Sequence, residues 1–133
     1  MNPINVIRKQ LHDHPGVTLE EDHKFICVKP RNDQGFNVSL QDEGMHFTVT
    51  FGEGWHEHFN SAQDALNCFY FGFSNNCRLK TVLAGDFPYK WTVEYNEGNE
   101  WLEDSSTNLI FFPFWRARHH VYQQNTDISN LPI

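Results

Sequence analysis

Apolar and polar residues alternate in two consecutive runs within residues 36–51, FNVSLQDEGMHFTVTF, on either side of a turn at 42–44. A period of two is typical of β-strands, because successive side chains point to opposite faces of a sheet. The two runs therefore predict a β-hairpin with one buried face and one polar face, and a one-residue shift would turn every apolar side chain to water. The predicted buried face consists of Phe36, Val38, Leu40, Phe47, Val49 and Phe51.

Two amphipathic helices are predicted on either side of the hairpin. Asn2 followed by Pro3 is typical of a helix start and predicts a helix over residues 3–13. A second helix, with Ser61 as its capping residue, is predicted over residues 61–74. Its apolar face, expected to pack on the sheet, contains Leu66, Phe69 and Phe73.

The remaining strands are predicted at 24–29, 78–84, 90–95, a short segment at 100–103, and 109–115. The last segment, LIFFPFW, is apolar on both faces, so we expect it to be central or covered, although Pro113 favours an edge or a bulge. The order α-β-β-β-α-β-β-(β)-β predicts an α+β fold. In that fold a curved antiparallel sheet of about five to six strands carries two helices on one face.

Length and composition limit the organisation and the compartment. A chain of 133 residues predicts a single domain, with a loosely ordered C-terminal tail from about residue 125. The net charge of −7 argues against non-specific nucleic-acid binding, which needs cations to neutralise phosphates. We expect no membrane association and a cytoplasmic protein, because the chain shows no signal-peptide pattern or membrane-spanning run. Its three cysteines are then expected to be reduced.

The stretch GWHEHFNSAQDAL, residues 54–66, holds two histidines on either side of a glutamate, directly before the second helix. In an extended segment His56 and His58 would point the same way, as two metal ligands on one strand do. The spacing is not the H-E-x-x-H of zinc proteases, and a third ligand would have to come from an acid or from His46, His119 or His120. We therefore expect no metal and no cofactor, with His56 and His58 as the ligands if a metal binds. Without a metal, the segment would serve as a polar connection from strand to helix or as an anion site at the helix start.

The segment FWRARHH, residues 114–120, is the only concentrated positive stretch. Arg116 could bind a carboxylate or a phosphate, and Trp115 could stack on a planar ligand. The simpler interpretation is a strand end whose arginines lie in solvent. The candidate ligand-binding residues of the whole chain are Trp55, His56, His58, Trp115 and Arg116.

The chain has no recognisable catalytic nucleophile, which disfavours an enzyme. Twelve Phe, four Trp and four Tyr beside a surplus of acids predict instead a small cytoplasmic module that binds another protein through an acidic, aromatic surface. In element order and acidity the chain resembles the small chaperones of bacterial secretion systems and the compact immunity proteins that neutralise toxins. The predicted partner-binding anchors are Trp55, Tyr70 and Trp101. The competing hypothesis is a small-ligand-binding or metal-binding enzyme with a pocket near the WHEHF segment, residues 55–59.

Overall fold

The computed structural model describes residues 1–12, 14 and 16–125, and these residues form two helices and nine strands in an α+β fold. The predicted loose tail, apart from Asn125, lies outside the described residues. The helices are α1 (Pro3–Leu11) and α2 (Ala62–Phe71). The strands are β1 (Thr18–Asp22), β2 (Phe25–Lys29), β3 (Val38–Asp42), β4 (Phe47–Phe51), β5 (Trp55–Phe59), β6 (Cys77–Ala84), β7 (Phe87–Glu97), β8 (Glu100–Asn108) and β9 (Arg118–Gln123).

The first sheet is an antiparallel meander in the order β1-β2-β3-β4-β5. Its β3–β4 hairpin pairs Val38 with Phe51 and Leu40 with Val49, and all four side chains are buried. Phe36 is buried just before β3, whereas Phe47, at the far end of the ladder, is half-buried. The predicted hairpin is therefore confirmed, and so is its buried face except at Phe47, which is half-buried.

Both helices pack on one face of the first sheet, as predicted. The side chain of Asn2 accepts hydrogen bonds from the first free backbone amides of α1, and Ser61 accepts one from the backbone of Asp64 in α2. The buried face of α2 includes Leu66 and Phe69 and continues to Phe73 just beyond the helix. Among the described residues neither helix is long and apolar enough to cross a membrane.

The two helices also contact each other, which explains why α2 carries two consecutive buried aromatic residues, Phe69 and Tyr70. Tyr70 is buried, and its hydroxyl donates a hydrogen bond to Gln10 of α1. Phe69, beside it, is fully buried. Phe69 and Tyr70 are therefore buried on two sides, because α2 contacts both the first sheet and α1.

The strands divide between two antiparallel sheets rather than forming one, and the second has the order β8-β7-β6-β9. The edge strand β5 of the first sheet lies against β7 and β8 of the second. Residues of the second sheet, among them Leu79 and Val93, belong to the same hydrophobic core as the first sheet and the helices. Two short helices can cover only one face of a sheet, so the second sheet supplies further apolar surface to the core.

The prediction of a covered strand at 109–115 is wrong. In the second sheet β8 and β9 lie at opposite edges, so the chain between them has to pass across the end of β7 and β6. Residues 109–117 form that connection as an irregular loop, called the aromatic loop below, and Pro113 has no N–H to contribute to a ladder. Residues 104–108, which lie between two of the predicted strands, complete β8 instead, and the exposed strand β1 was not predicted.

Replacing Phe69 with Ala tests the assigned core. Its ring is 0% exposed and packs edge-on against Phe73 at 5.5 Å between ring centroids. We expect Phe69→Ala to lower the free energy of unfolding by about 3–5 kcal/mol, because a large buried ring leaves a cavity. Denaturant titration measures this. The matched control is Phe111→Ala, whose ring is exposed and whose loss should change stability by less than about 0.5 kcal/mol. Equal effects of the two substitutions would show that the core assignment is wrong.

Candidate functional sites

Trp55 lies in the core rather than on the surface. Its indole is 2% exposed, stacks on Phe51 with 4.6 Å between ring centroids, and donates a hydrogen bond from Nε1 to Ser105 Oγ at 3.1 Å. Tyr70 is likewise buried. Two of the three predicted partner-binding anchors are therefore inaccessible to a partner.

Trp101, the third predicted anchor, is half-buried on the outer face of the second sheet. The guanidinium of Arg78 lies 4.4 Å from the centre of its ring and 4.0 Å from the ring of Tyr122, and its Nε donates to Glu94 at 2.6 Å. Because one cation joins side chains from all four strands of this sheet, the arrangement serves to hold the sheet together. One face of the Trp101 ring is therefore covered by Arg78 and is not available to a partner.

The WHEHF segment is extended, as strand β5, and this places both of its histidines on the solvent face of the first sheet. His56 and His58 point the same way from β5, opposite Thr50 and Thr48 of β4. The structure also brings His46 beside His58, with 5.2 Å between the ring centroids in an edge-on arrangement. The remaining candidates for a third ligand, His119 and His120, lie in β9 of the second sheet.

Glu43 adds a carboxylate to His46 and His58, and these three residues are called the histidine cluster below. Glu43 lies in the β3–β4 turn, and its Oε2 is 3.1 Å from Nε2 of His46. The hydroxyl of Thr48 donates a hydrogen bond to the other carboxylate oxygen and lies 2.8 Å from Nδ1 of His58. The hydrogen bond from Thr48 lowers the pKa of Glu43, with smaller contributions from the two histidines. One potential ligand atom each of Glu43, His46 and His58 lies within 4.8 Å of the others.

The aromatic loop presents four large apolar side chains that are more than two-thirds exposed, and Leu109 at its start is partly exposed as well. Ile110 is 82% exposed, Phe111 88%, Phe114 68% and Trp115 73%. Single exposed apolar residues are common on ordinary protein surfaces. Several of them close together in the chain, as here, are typical of interaction surfaces. Phe87, the first residue of β7, is also exposed.

The aromatic loop and the WHEHF segment do not meet. β5 lies against β7 and β8, whereas residues 118–123 pair with β6 at the opposite edge of the second sheet. Within the described residues, no hydrogen bond, ion pair or ring contact joins residues 55–59 to residues 114–120. The five predicted ligand-binding residues therefore form no single pocket.

A cleft of about 480 Å³ lies on the other side of β5, where α2 meets the second sheet. Two carboxylates, Glu57 and Asp104, share it with the rings of Phe59, Phe71 and Tyr95. Desolvation raises the pKa of Glu57, and the negative charge of Asp104 raises it further. Burial raises the pKa of the Cys68 thiol in the cleft wall, which disfavours the thiolate form that a nucleophile requires.

Sequence reasoning missed several residues that these sites bring together. Glu43 and Thr48 were assigned only to the turn and the polar face of the hairpin, although the spacing Glu43-x-x-His46 across a tight turn is a usable signal. Asp104 lay outside every predicted strand. Phe111 was placed in a covered strand, and Pro113 beside it was the signal against that prediction.

Comparisons with models of protein families, with curated proteins and with solved structures found no match to this chain. A fold by itself does not imply a function, since function depends on the chemistry of particular sites. The function of this chain therefore has to be inferred from the chemistry of the histidine cluster, the aromatic loop and the cleft lined by Glu57 and Asp104.

The raised pKa of Glu57 predicts a pH-dependent effect of its removal. The folded state favours the protonated acid, so its ionisation destabilises the fold as pH rises above the ordinary pKa of 4.5, and the penalty is absent well below it. We expect Glu57→Gln to raise the melting temperature at pH 7 by about 1–2 °C and to leave it unchanged at acidic pH. Thermal unfolding monitored by circular dichroism at several pH values measures this.

The control is Glu53→Gln, which removes an exposed carboxylate without a hydrogen bond or ion pair in the described part of the chain. It should not reproduce the stabilisation expected for Glu57→Gln at pH 7. A stabilisation by Glu57→Gln that persists unchanged below about pH 4 would contradict the electrostatic explanation.

Proposed function

We propose that this protein is a binding module that recognises another protein through the aromatic loop, residues 109–117. The observation that carries the proposal is the exposure of Ile110, Phe111, Phe114 and Trp115, each at least 68% accessible. Large apolar and aromatic side chains in a polar surround are the typical centres of protein interfaces. Protein binding is the class of function expected from the sequence, but the proposed surface is the aromatic loop instead of Trp55, Tyr70 and Trp101.

The loop is held in shape before any partner arrives. Phe112 stacks on Tyr89 of β7 with 4.0 Å between ring centroids and 5° between ring planes. The guanidinium of Arg118 lies over both rings and donates a hydrogen bond to the carbonyl of Phe114 at 3.2 Å. Backbone hydrogen bonds from Leu109 to Tyr89 and from Gly85 to Ala117 attach the two ends. A preformed loop loses less conformational entropy on binding, so more of the contact energy contributes to affinity.

The charge around the loop indicates the partner's chemistry. Residues 109–125 contain two arginines and two histidines but no acid, although the whole chain has a net charge of −7. The guanidinium of Arg116 has no hydrogen bond or ion pair within the described residues, and none joins it to Asp86 in the neighbouring turn. The partner that fits is a protein with an apolar groove edged by carboxylates, rather than the basic partner expected from the net charge. An anionic bilayer fits less well, because the remainder of the protein is acidic and would be repelled.

Site-specific photo-crosslinking in the native host tests the proposal. A benzoylphenylalanine placed at position 111 should crosslink to one protein partner. The same group at position 45 should not, although Met45 is equally exposed, on the β3–β4 turn. The partner is then identified by mass spectrometry and purified for affinity measurements.

Affinity for the purified partner gives the quantitative prediction. We expect Phe111→Ala/Trp115→Ala to weaken binding by about 30-fold or more, because truncating central anchors costs at least about 2 kcal/mol. Arg116→Glu should weaken it about tenfold, mainly through the association rate, while Met45→Ala leaves it unchanged. Equal crosslinking at positions 45 and 111, crosslinks to lipid or to a second copy of the chain, or an unchanged affinity of the double variant would each contradict the proposal.

The cleft beside Glu57 supports a second candidate function, the binding of a small organic cation. Two carboxylates without a cationic partner in the described residues lie among three aromatic rings, a combination that binds alkylammonium groups. Spermidine should then raise the melting temperature of the wild type by several degrees and have no effect on Glu57→Gln/Asp104→Asn. Equal shifts for the two proteins would mean that spermidine acts only through the general negative charge.

A further inference from the structure

We propose that Glu43, His46 and His58 form a binding site for a divalent transition-metal ion of the zinc class on the solvent face of the first sheet. This assignment replaces the expectation of no metal, and it also differs from the pair His56 and His58 suggested by the sequence. The site is independent of the aromatic loop, which lies on the second sheet.

The ligand atoms are already close to the spacing that a zinc ion requires. Zn–N and Zn–O bonds of about 2.0–2.1 Å in a tetrahedron separate neighbouring ligand atoms by about 3.3 Å. Oε2 of Glu43 and Nε2 of His46 are 3.1 Å apart, and all three ligand atoms lie within 4.8 Å. The metal would take the position of the proton between Glu43 and His46, and His58 would complete the site through Nε2 after a rotation of its ring that keeps Nδ1 on Thr48.

The backbone fixes the three ligands in place. Glu43 and His46 are at the two ends of one tight turn, closed by a hydrogen bond from the Glu43 N–H to the His46 carbonyl at 2.9 Å. The side chain of Asp42 accepts a further hydrogen bond from the N–H of Gly44 at 2.9 Å, within the same turn. His58 lies in β5 directly opposite Thr48 in the ladder. Ligands on paired strands and a closed turn need little reorganisation when the metal binds.

Thr48 orients His58 for coordination. Its hydroxyl has one proton, which it donates to Glu43, because an ionised carboxylate can only accept hydrogen bonds. Thr48 Oγ1 must therefore accept from His58, so Nδ1 of that ring carries its hydrogen and Nε2 keeps a free lone pair. A histidine that donates one ring N–H to an oxygen while the other nitrogen binds metal is the usual arrangement in metal sites. Thr48 is thus a positioning residue for this site.

The same reasoning separates His56 from the site. Nδ1 of His56 is 3.1 Å from the carbonyl of Gly54, and its ring centroid is 5.5 Å from that of His58. Its nitrogens fall outside the group of mutually close ligand atoms. Two imidazoles and one carboxylate leave a fourth position of a tetrahedral ion open, as in zinc sites that bind water or another ligand.

Calorimetric titration of the metal-free, untagged full chain with Zn²⁺ alone tests the assignment. We expect one ion per chain. His46→Ala and His58→Ala should each weaken binding by at least about 100-fold, and Thr48→Val by roughly 10- to 100-fold, as removing a partner that only orients a ligand does. Thr48→Ser should restore the affinity. The absorption spectrum of Co²⁺ in the same site, with intense visible bands for a tetrahedral ion, gives a second readout.

The controls are exposed histidines that lie outside the proposed ligand set. His56→Ala and the pair His119→Ala/His120→Ala should retain wild-type affinity, and circular dichroism should show that every variant is folded. If His56→Ala lost zinc binding while His46→Ala retained it, the ligands would be His56 and His58 instead, and the proposal would be overturned. Zinc bound equally well by wild type and by His46→Ala/His58→Ala would do the same. Phe111→Ala/Trp115→Ala should bind zinc normally, so a failure of the aromatic-loop proposal and a failure of the metal proposal give different results.

Discussion

The burial of Trp55 between the two sheets is the interaction on which the rest of the structure depends. Its ring stacks on Phe51 of the first sheet, and its indole N–H reaches Ser105 of the second. Gly54, the preceding residue, lies so close to the indole of Trp91 in β7 that any β-carbon there would clash. A large aromatic side chain with one polar atom suits this position, because the ring supplies apolar area while the N–H finds an acceptor.

This contact determines what the neighbouring residues of β5 can do. Side chains alternate along a strand, so Trp55 in the core places His56 and His58 on the solvent face of the first sheet. Glu57 points the other way, into the cleft with Asp104 at the junction of α2 and the second sheet. One five-residue strand therefore contributes to the core, to the histidine cluster and to the acidic cleft.

The second sheet creates the other surface through its strand order. With β8 and β9 at opposite edges, the connection between them must run across one end of the sheet, where no described element covers it. Phe112 and Arg118 hold this connection against Tyr89, while Ile110, Phe111, Phe114 and Trp115 are exposed to solvent. The aromatic loop and the histidine cluster lie on different sheets, so partner binding and metal binding can be tested separately.

Local patterns in the sequence were sufficient to predict the β3–β4 hairpin with its buried face, both helices with their caps, and the α+β class. These features depend on periodicity and on residues close together in the chain, such as Asn2 with Pro3. Only the tertiary structure decided that the strands form two sheets, that Phe111 is exposed, and that Glu43 and His46 meet His58. An apolar run has the same composition whether it fills a core or crosses the end of a sheet. Which side chains become neighbours depends on strand order and on the contact between the two sheets at Trp55, which no local pattern encodes.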